Sequence, residues 1–128
     1  MKSIANHIQT HADALNLRSK RNEILASNIV NSATPNFKAR DIDFNQALQA
    51  RMDVGPVNVS NERHFKFYNG SGDEAAQFRQ SINPSVDGNT VELHVEQMQF
   101  SENVMRYQTS LEFLNRKFSG LISAIKGE

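Results

Sequence analysis

Leu15-Asn16-Leu17-Arg18-Ser19-Lys20-Arg21-Asn22-Glu23-Ile24-Leu25-Ala26-Ser27-Asn28-Ile29-Val30-Asn31-Ser32-Ala33-Thr34-Pro35-Asn36-Phe37-Lys38-Ala39-Arg40-Asp41-Ile42-Asp43-Phe44 is the stretch that decides the fold. Its first half is helical in period: Leu15, Leu25 and Ile29 share one row, with Leu17 and Ile24 on a neighbouring row. Its second half cannot continue that helix, because Pro35 has no amide proton and drives Thr34 toward an extended backbone. The spacing predicts a long helix, a fixed break at Thr34-Pro35-Asn36-Phe37, and an extended return that brings Phe37, Ile42 and Phe44 back to the helices. Asn tolerates a left-handed backbone better than most residues, so Asn36 suits the turn.

Working outward, residues 3 to about 33 read as the first helix. A four–three spacing runs through Ile4, Ile8, His11, Leu15, Arg18, Asn22, Leu25 and Ile29. This is a heptad seam with polar interruptions, which weaken a zipper but set its register and partner choice. Residues 91 to about 126 read as a second, cleaner helix with Leu93, Gln97, Phe100, Val104, Tyr107, Leu111, Leu114, Phe118, Leu121 and Ile125 in its seam. Glu92 and Glu96 early and Arg116, Lys117 and Lys126 late complement its dipole. Gly120 is its weak point.

Between them lies a segment of another kind. All three prolines and Gly55, Gly70, Gly72 and Gly88 fall in residues 34–90. These residues punctuate the backbone into turns. Phe44–Met52 has the composition for a short helical piece. Val57, Val59, Phe65, Phe67 and Tyr68 suggest short strands, with Asn69–Asp73 as a loop tip. The predicted fold class is therefore mainly α: two long terminal helices in a coiled-coil-like pair, joined by an irregular, partly β segment. The expected organisation is one domain over 1–128, with helix 1–33, central segment 34–90 and helix 91–128.

Composition narrows the function. Lys plus Arg and Asp plus Glu number 14 each, for a formal net charge of zero. The balance is +2 over residues 1–50 and −1 over each of 51–90 and 91–128. No basic arm exists to neutralise phosphates, which argues against nucleic acid as a partner. With no cysteine there are no disulfides and no thiolate metal sites. The first residues lack the apolar core of a secretory signal, and no apolar run reaches membrane-spanning length.

The chemistry of single residues is sparse. His7 and His11 stand at i, i+4, a spacing that can hold zinc, yet no third ligand accompanies them. They support a rival reading, a small helical regulator or metal-binding enzyme scaffold. Asp41 is expected to pair locally with Lys38 or Arg40, or to cap a turn. Arg18, Lys20 and Arg21 are expected on a solvated face. Gly70-Ser71-Gly72 lacks the Lys of a phosphate-binding loop. No catalytic constellation emerges, so the expectation is no enzyme, no cofactor, no metal and no small-molecule substrate.

Asn28-Ile29-Val30-Asn31-Ser32-Ala33-Thr34-Pro35-Asn36-Phe37 resembles the N-terminal signature of the bacterial flagellar axial proteins, an Asn-Ile-Ala-Asn-x-x-Thr-Pro-Gly-Tyr type of motif. Asn36 stands where that family usually has Gly, and Phe37 where Tyr is common. Lys38-Ala39-Arg40-Asp41-Ile42-Asp43-Phe44 narrows the resemblance to the proximal-rod, B-type members. Gly88-Asn89-Thr90-Val91-Glu92, Arg106-Tyr107-Gln108 and Arg116-Lys117-Phe118-Ser119-Gly120-Leu121 resemble later signatures of the same family, while residues 50–85 add little. The resemblance implies a structural subunit of the basal-body rod that transmits torque and surrounds the export channel. It implies partners among itself and other rod subunits, the adaptor between rod and MS ring, and the export apparatus. It also implies export without a cleaved signal, to the periplasmic rod. The expected assembly interface comprises Ile4, Ile8, Leu15, Leu25, Asn28, Ile29, Asn31, Leu111, Leu114, Phe118, Leu121 and Ile125. Independently of the resemblance, two long helices carry more seam than they can bury on each other, which points to association.

Overall fold

A computed structural model describes residues 2–53, 76–83 and 85–127, with side chains described over 8–52, 76–83 and 85–127. The element order is helix α1 (Lys2–Val30), strand β1 (Arg40–Ile42), helix α2 (Phe44–Asp53), strand β2 (Ala76–Phe78) and helix α3 (Leu93–Lys126). The two long helices run antiparallel, and their contact is the largest in the molecule. At ~1.5 Å rise per residue α3 is about 50 Å long. The expected strands around Val57, Val59, Phe65, Phe67 and Tyr68 and the tip at Asn69–Asp73 lie outside the described residues.

Helix α1 stops at Val30, earlier than the expected 33. The reason is local. Asn31 turns its side-chain amide back to the Ser27 carbonyl at 2.8 Å, and the Thr34 N–H donates to the Asn31 carbonyl at 3.0 Å. Asn side chains compete in this way with the helical ladder. The Phe37 N–H then reaches the Thr34 carbonyl at 3.3 Å, closing a four-residue turn with Pro35 second and Asn36 third. Asn36 has φ 60°, the left-handed value that a type II turn requires at its third position.

The chain then returns as expected. β1 pairs antiparallel with β2, Arg40 opposite Phe78 and Ile42 opposite Ala76. β2 has no counterpart in the sequence reading, because Ala-Gln-Phe has neither length nor alternation to announce it. Asp43 caps α2, accepting from the Gln46 N–H at 3.0 Å, the usual role of Asp at a helix start.

α1 is used on two faces. Leu17 and Ile24 form the core with Ile42, supported by Phe44, Ala47, Leu48 and Ala76. Leu25, 0% exposed, lies at the centre of the other face. The neighbouring row, Leu17 and Ile24, thus carries the apolar core. That core is small, and polar side chains share the interior: Asn28, Asn89, Glu96 and Asn103 are all buried.

Helix α3 departs most from expectation. Its fully buried residues are Glu96 and Asn103, and neither belongs to the apolar seam read from the sequence. Phe100, Val104, Tyr107, Leu114 and Leu121 are half-buried, whereas Leu93, Gln97, Leu111, Phe118 and Ile125 are exposed. The apolar stripe is therefore turned aside from α1. Leu111 and Phe118 sit roughly 70° around the helix from Asn103 at 3.6 residues per turn. Gly127, with φ 76°, ends α3 as a left-handed cap.

Candidate functional site

Two features distinguish this molecule: a polar junction where all the elements meet, and an uncovered apolar flank on α3.

The junction begins with Asn28, which stands on α1 one turn before the break. Its amide pairs with the backbone of Arg40 on both sides, donating to the Arg40 carbonyl at 2.7 Å and accepting from the Arg40 N–H at 3.1 Å. A side-chain amide has one acceptor and two donors, so it can imitate a neighbouring strand. The remaining donor reaches Glu96 Oε2 at 3.1 Å. Glu96 is 0% exposed, and its other oxygen accepts from Arg79 Nη2. A buried carboxylate is tolerated only when paired and hydrogen-bonded, and Glu96 meets both conditions. Glu96 stands in the first turn of α3, as expected of an acid that complements the helix dipole, and is buried there as well.

Asp41 extends the network. Arg21 grips it at two points, Nε to Oδ1 at 2.8 Å and Nη2 to Oδ2 at 2.9 Å, and also donates to Gln99 Oε1 at 3.0 Å. Arg79 Nη1 lies 3.5 Å from Asp41 Oδ2. Asp41 thus pairs across the molecule, not locally with Lys38 or Arg40 as its sequence neighbours suggested. Burial pushes the Asp41 carboxyl up, but the Arg21 hydrogen bonds and charge, the Ile42 N–H and Arg79 outweigh it and hold the pKa below the ordinary value. Arg21 is raised for the reciprocal reason, chiefly its bond to Asp41. Arg18 is likewise not on a solvated face. Its guanidinium lies 4.1 Å over the Phe44 ring, and burial together with Arg106 and Arg21 lowers its pKa. Lys20 does face outward, 3.9 Å from Glu23.

Asn89 closes the other side of the junction. Its amide nitrogen is shared among the carbonyls of Asn31, Ser32 and Thr34 at 3.1, 2.9 and 3.0 Å, and its oxygen accepts from the Val91 N–H at 2.8 Å. These three carbonyls belong to the turn that follows α1, and one side chain ties them together. Around it, residues 36–39 and 87–90 are laced together. Asn36 N–H donates to the Asp87 carbonyl, Thr90 N–H to the Phe37 carbonyl, and Ala39 N–H to Thr90 Oγ1. Asp87 accepts from the Ser85 hydroxyl and the Asn89 N–H, which lower its pKa. The two short sequence signatures, some fifty positions apart, are one structural unit.

The apolar flank runs along α3. Leu111, Phe118, Ile122 and Ile125 are exposed on it, Ile125 at 85%. Of the expected interface residues, Ile8, Leu15 and Ile29 on α1, Asn31 just after it, and Leu114 and Leu121 on α3 are half-buried, and Leu25 and Asn28 are interior. Ile4 lies on α1 with its side chain outside the described set. Met98, Met105 and Phe113 are exposed on other sides of α3.

Nothing here resembles a reaction centre. Among the described residues no group of three His, Cys, Asp or Glu could hold a metal ion. His11 stacks against Phe113 with ring centroids 5.0 Å apart. The His7 side chain lies outside the described residues. A shallow hollow of about 400 Å³ is lined by Arg21, Asp41, Ile42, Phe44, Phe78 and Arg79, but its charged groups are already engaged with one another. Among the described residues no helix is long and apolar enough to cross a membrane.

A paired-helix framework, a polar junction and an uncovered apolar flank define a structural subunit of the assembling kind. The profile described as Flagella basal body rod protein matches residues 8–38, from the second turn of α1 through the break that follows it. The flagellar basal body rod protein FlgB of Cereibacter sphaeroides is 50% identical over the whole of both chains. That of Aeromonas hydrophila is 48% identical over 92% of this chain and 91% of its own, and that of Escherichia coli K12 is 36% identical over 89% and 88%. The chain belongs to the FlgB family of flagellar basal body rod proteins. This is a structural family, not an enzymatic one.

Proposed function

We infer that this chain is a structural subunit of the proximal rod of the flagellar basal body, where it assembles with other rod proteins. The observation that carries the mechanism is the uncovered flank of α3. Covering apolar area of this kind is favourable by roughly 25 cal/mol per Å² removed from solvent. In a rod the cover is the helix pair of a neighbouring subunit. Contacts of one face with a different face of the next copy propagate as an open helical array. The proposed interface comprises Leu111, Leu114, Phe118, Leu121 and Ile125 on α3, Ile8, Leu15 and Ile29 on α1 and Asn31 just after it, with Leu25 and Asn28 supporting it from inside the subunit. The mechanism is mechanical: the stacked helices transmit torque and surround the export channel. The adaptor between rod and MS ring and the export apparatus are the further partners this position implies.

The test is complementation of a strain lacking its own FlgB-type protein with an epitope-tagged copy. Restored swimming, with the tag recovered in purified basal bodies, is expected. A soluble, expressed chain that never enters basal bodies would contradict the proposal.

A further inference from the structure

From Glu96 to Asn103 the line where α3 faces α1 is polar, and the polarity is ordered. Asn28 meets Glu96, Arg21 meets Gln99, and Asn22 meets Asn103, whose amide donates to Asn22 Oδ1 and to the Arg18 carbonyl, both at 2.8 Å. The partners run from Asn28 back to Asn22 and Arg18 on α1 as they run from Glu96 forward to Asn103 on α3, as an antiparallel pair requires. Glu96 and Asn103 are buried in that line while apolar side chains stand uncovered beside it. Burial of apolar surface alone would favour the opposite arrangement, with the stripe of Leu111 and Phe118 rolled onto α1. What opposes the roll is the penalty for stranding Asn28, Glu96 and Asn103 without partners, which exceeds the net gain of each bond when made.

We propose that these three polar contacts act as a lock on the register and rotation of α3 against α1, and so keep the apolar flank of α3 turned outward for a neighbouring subunit. Buried polar groups are poor sources of stability, since apolar replacements of similar shape are often as stable or more so. They excel at discrimination, because a shifted register breaks all of them together. A one-turn slide of about 5 Å would carry each donor past its acceptor. The flank's use in assembly rests on the function proposed above; the lock itself is a property of the isolated subunit.

The experiment replaces one contact on both sides, Asn22→Leu with Asn103→Leu, so that no partner is left stranded. The chain has no cysteine. Cysteines introduced at exposed Ser19 and Ser101 can therefore carry spin labels uniquely. The unaltered background should give one narrow label–label distance distribution. The double variant should keep its helicity and melt at an equal or higher temperature, yet give a broadened distribution or a second maximum displaced by several Å. Gln99→Leu, a milder change, should broaden it less. A single unshifted distribution in the double variant overturns the lock. Loss of cooperative unfolding also overturns it, because the contacts would then supply stability and not register. A slipped register with normal entry into basal bodies upholds the lock and counts against the flank as the assembly surface.

Discussion

Asn36 and Gly88 stand against each other in left-handed conformations, φ 60° and 76°, and a Cβ built on Gly88 would lie 2.6 Å from Asn36 Oδ1. This contact is where the two signatures meet, so its tolerance can be tested directly. Gly88→Ala should destabilise the subunit by about 1–2 kcal/mol, from the left-handed backbone and the crowding of Asn36. Asn36→Gly should be neutral or stabilising by up to about 1 kcal/mol, because glycine takes φ > 0 without cost. Combining the two should recover the crowding part of the loss. Thermal denaturation of the four proteins measures the cycle, and strict additivity would show that the contact is slack.

Asn89 is the second test of the junction. Asn89→Ala leaves the Ser32 carbonyl and the Val91 N–H without the partner Asn89 supplies, and takes one of two donors from the Asn31 and Thr34 carbonyls. The expected loss is about 2–3 kcal/mol. Hydrogen exchange should localise it to residues 28–38, while the middle of α3 keeps its protection. Uniform loss along both helices would show that Asn89 supports the whole pair and not one end of α1.

The Arg21–Asp41 pair makes stability pH-dependent. The folded Asp41 pKa is depressed, so its contribution is present above the unfolded value of about 3.9 and is lost as pH falls through the folded value. Acid should therefore weaken the fold from about pH 4 downward. Arg21→Met should be less stable at neutral pH and lose less on acidification, since one cause of the depression is gone. Equal acid slopes in the two proteins, followed by denaturant titration between about pH 3 and 6, would contradict the assignment.

Interior and flank residues should separate sharply. Leu25→Ala, at a fully buried site, should cost about 2–4 kcal/mol. Ile125→Ala, at 85% exposure, should cost under about 0.5 kcal/mol in the isolated subunit. Similar losses from both would mean that the end of α3 is covered within the subunit.

Much of this architecture was legible in the sequence. Pro35 and Asn36 announced the break, the apolar spacing gave both long helices, and Ile42 was correctly expected to return to them. The junction was not legible, for a physical reason. Periodicity reports which side chains avoid water, and the Asn28–Glu96 and Arg21–Asp41 partners are polar residues whose burial depends on a partner far along the chain. Glu96 looked like a residue placed for the helix dipole, and Arg21 like part of a solvated face. The same blindness set the α3 seam on its apolar residues, when the line facing α1 is centred on Asn103. Strand β2, three residues long, is fixed by pairing with β1 and leaves no local pattern.

The assembly surface is best examined with Phe118→Asp and Ile122→Asp, each a charge placed on the exposed flank of α3. Both residues are about half-exposed in the subunit, so both variants should fold with unchanged helicity and melting temperature. A buried, unpaired carboxylate in the subunit contact should then exclude them from the rod. The decisive measurement is the amount of variant chain in purified basal bodies relative to the unaltered chain expressed at the same level. A flank that packs on a neighbouring subunit predicts near-complete absence. Recovery of either variant at the level of the unaltered chain, in cells that swim normally, would contradict it.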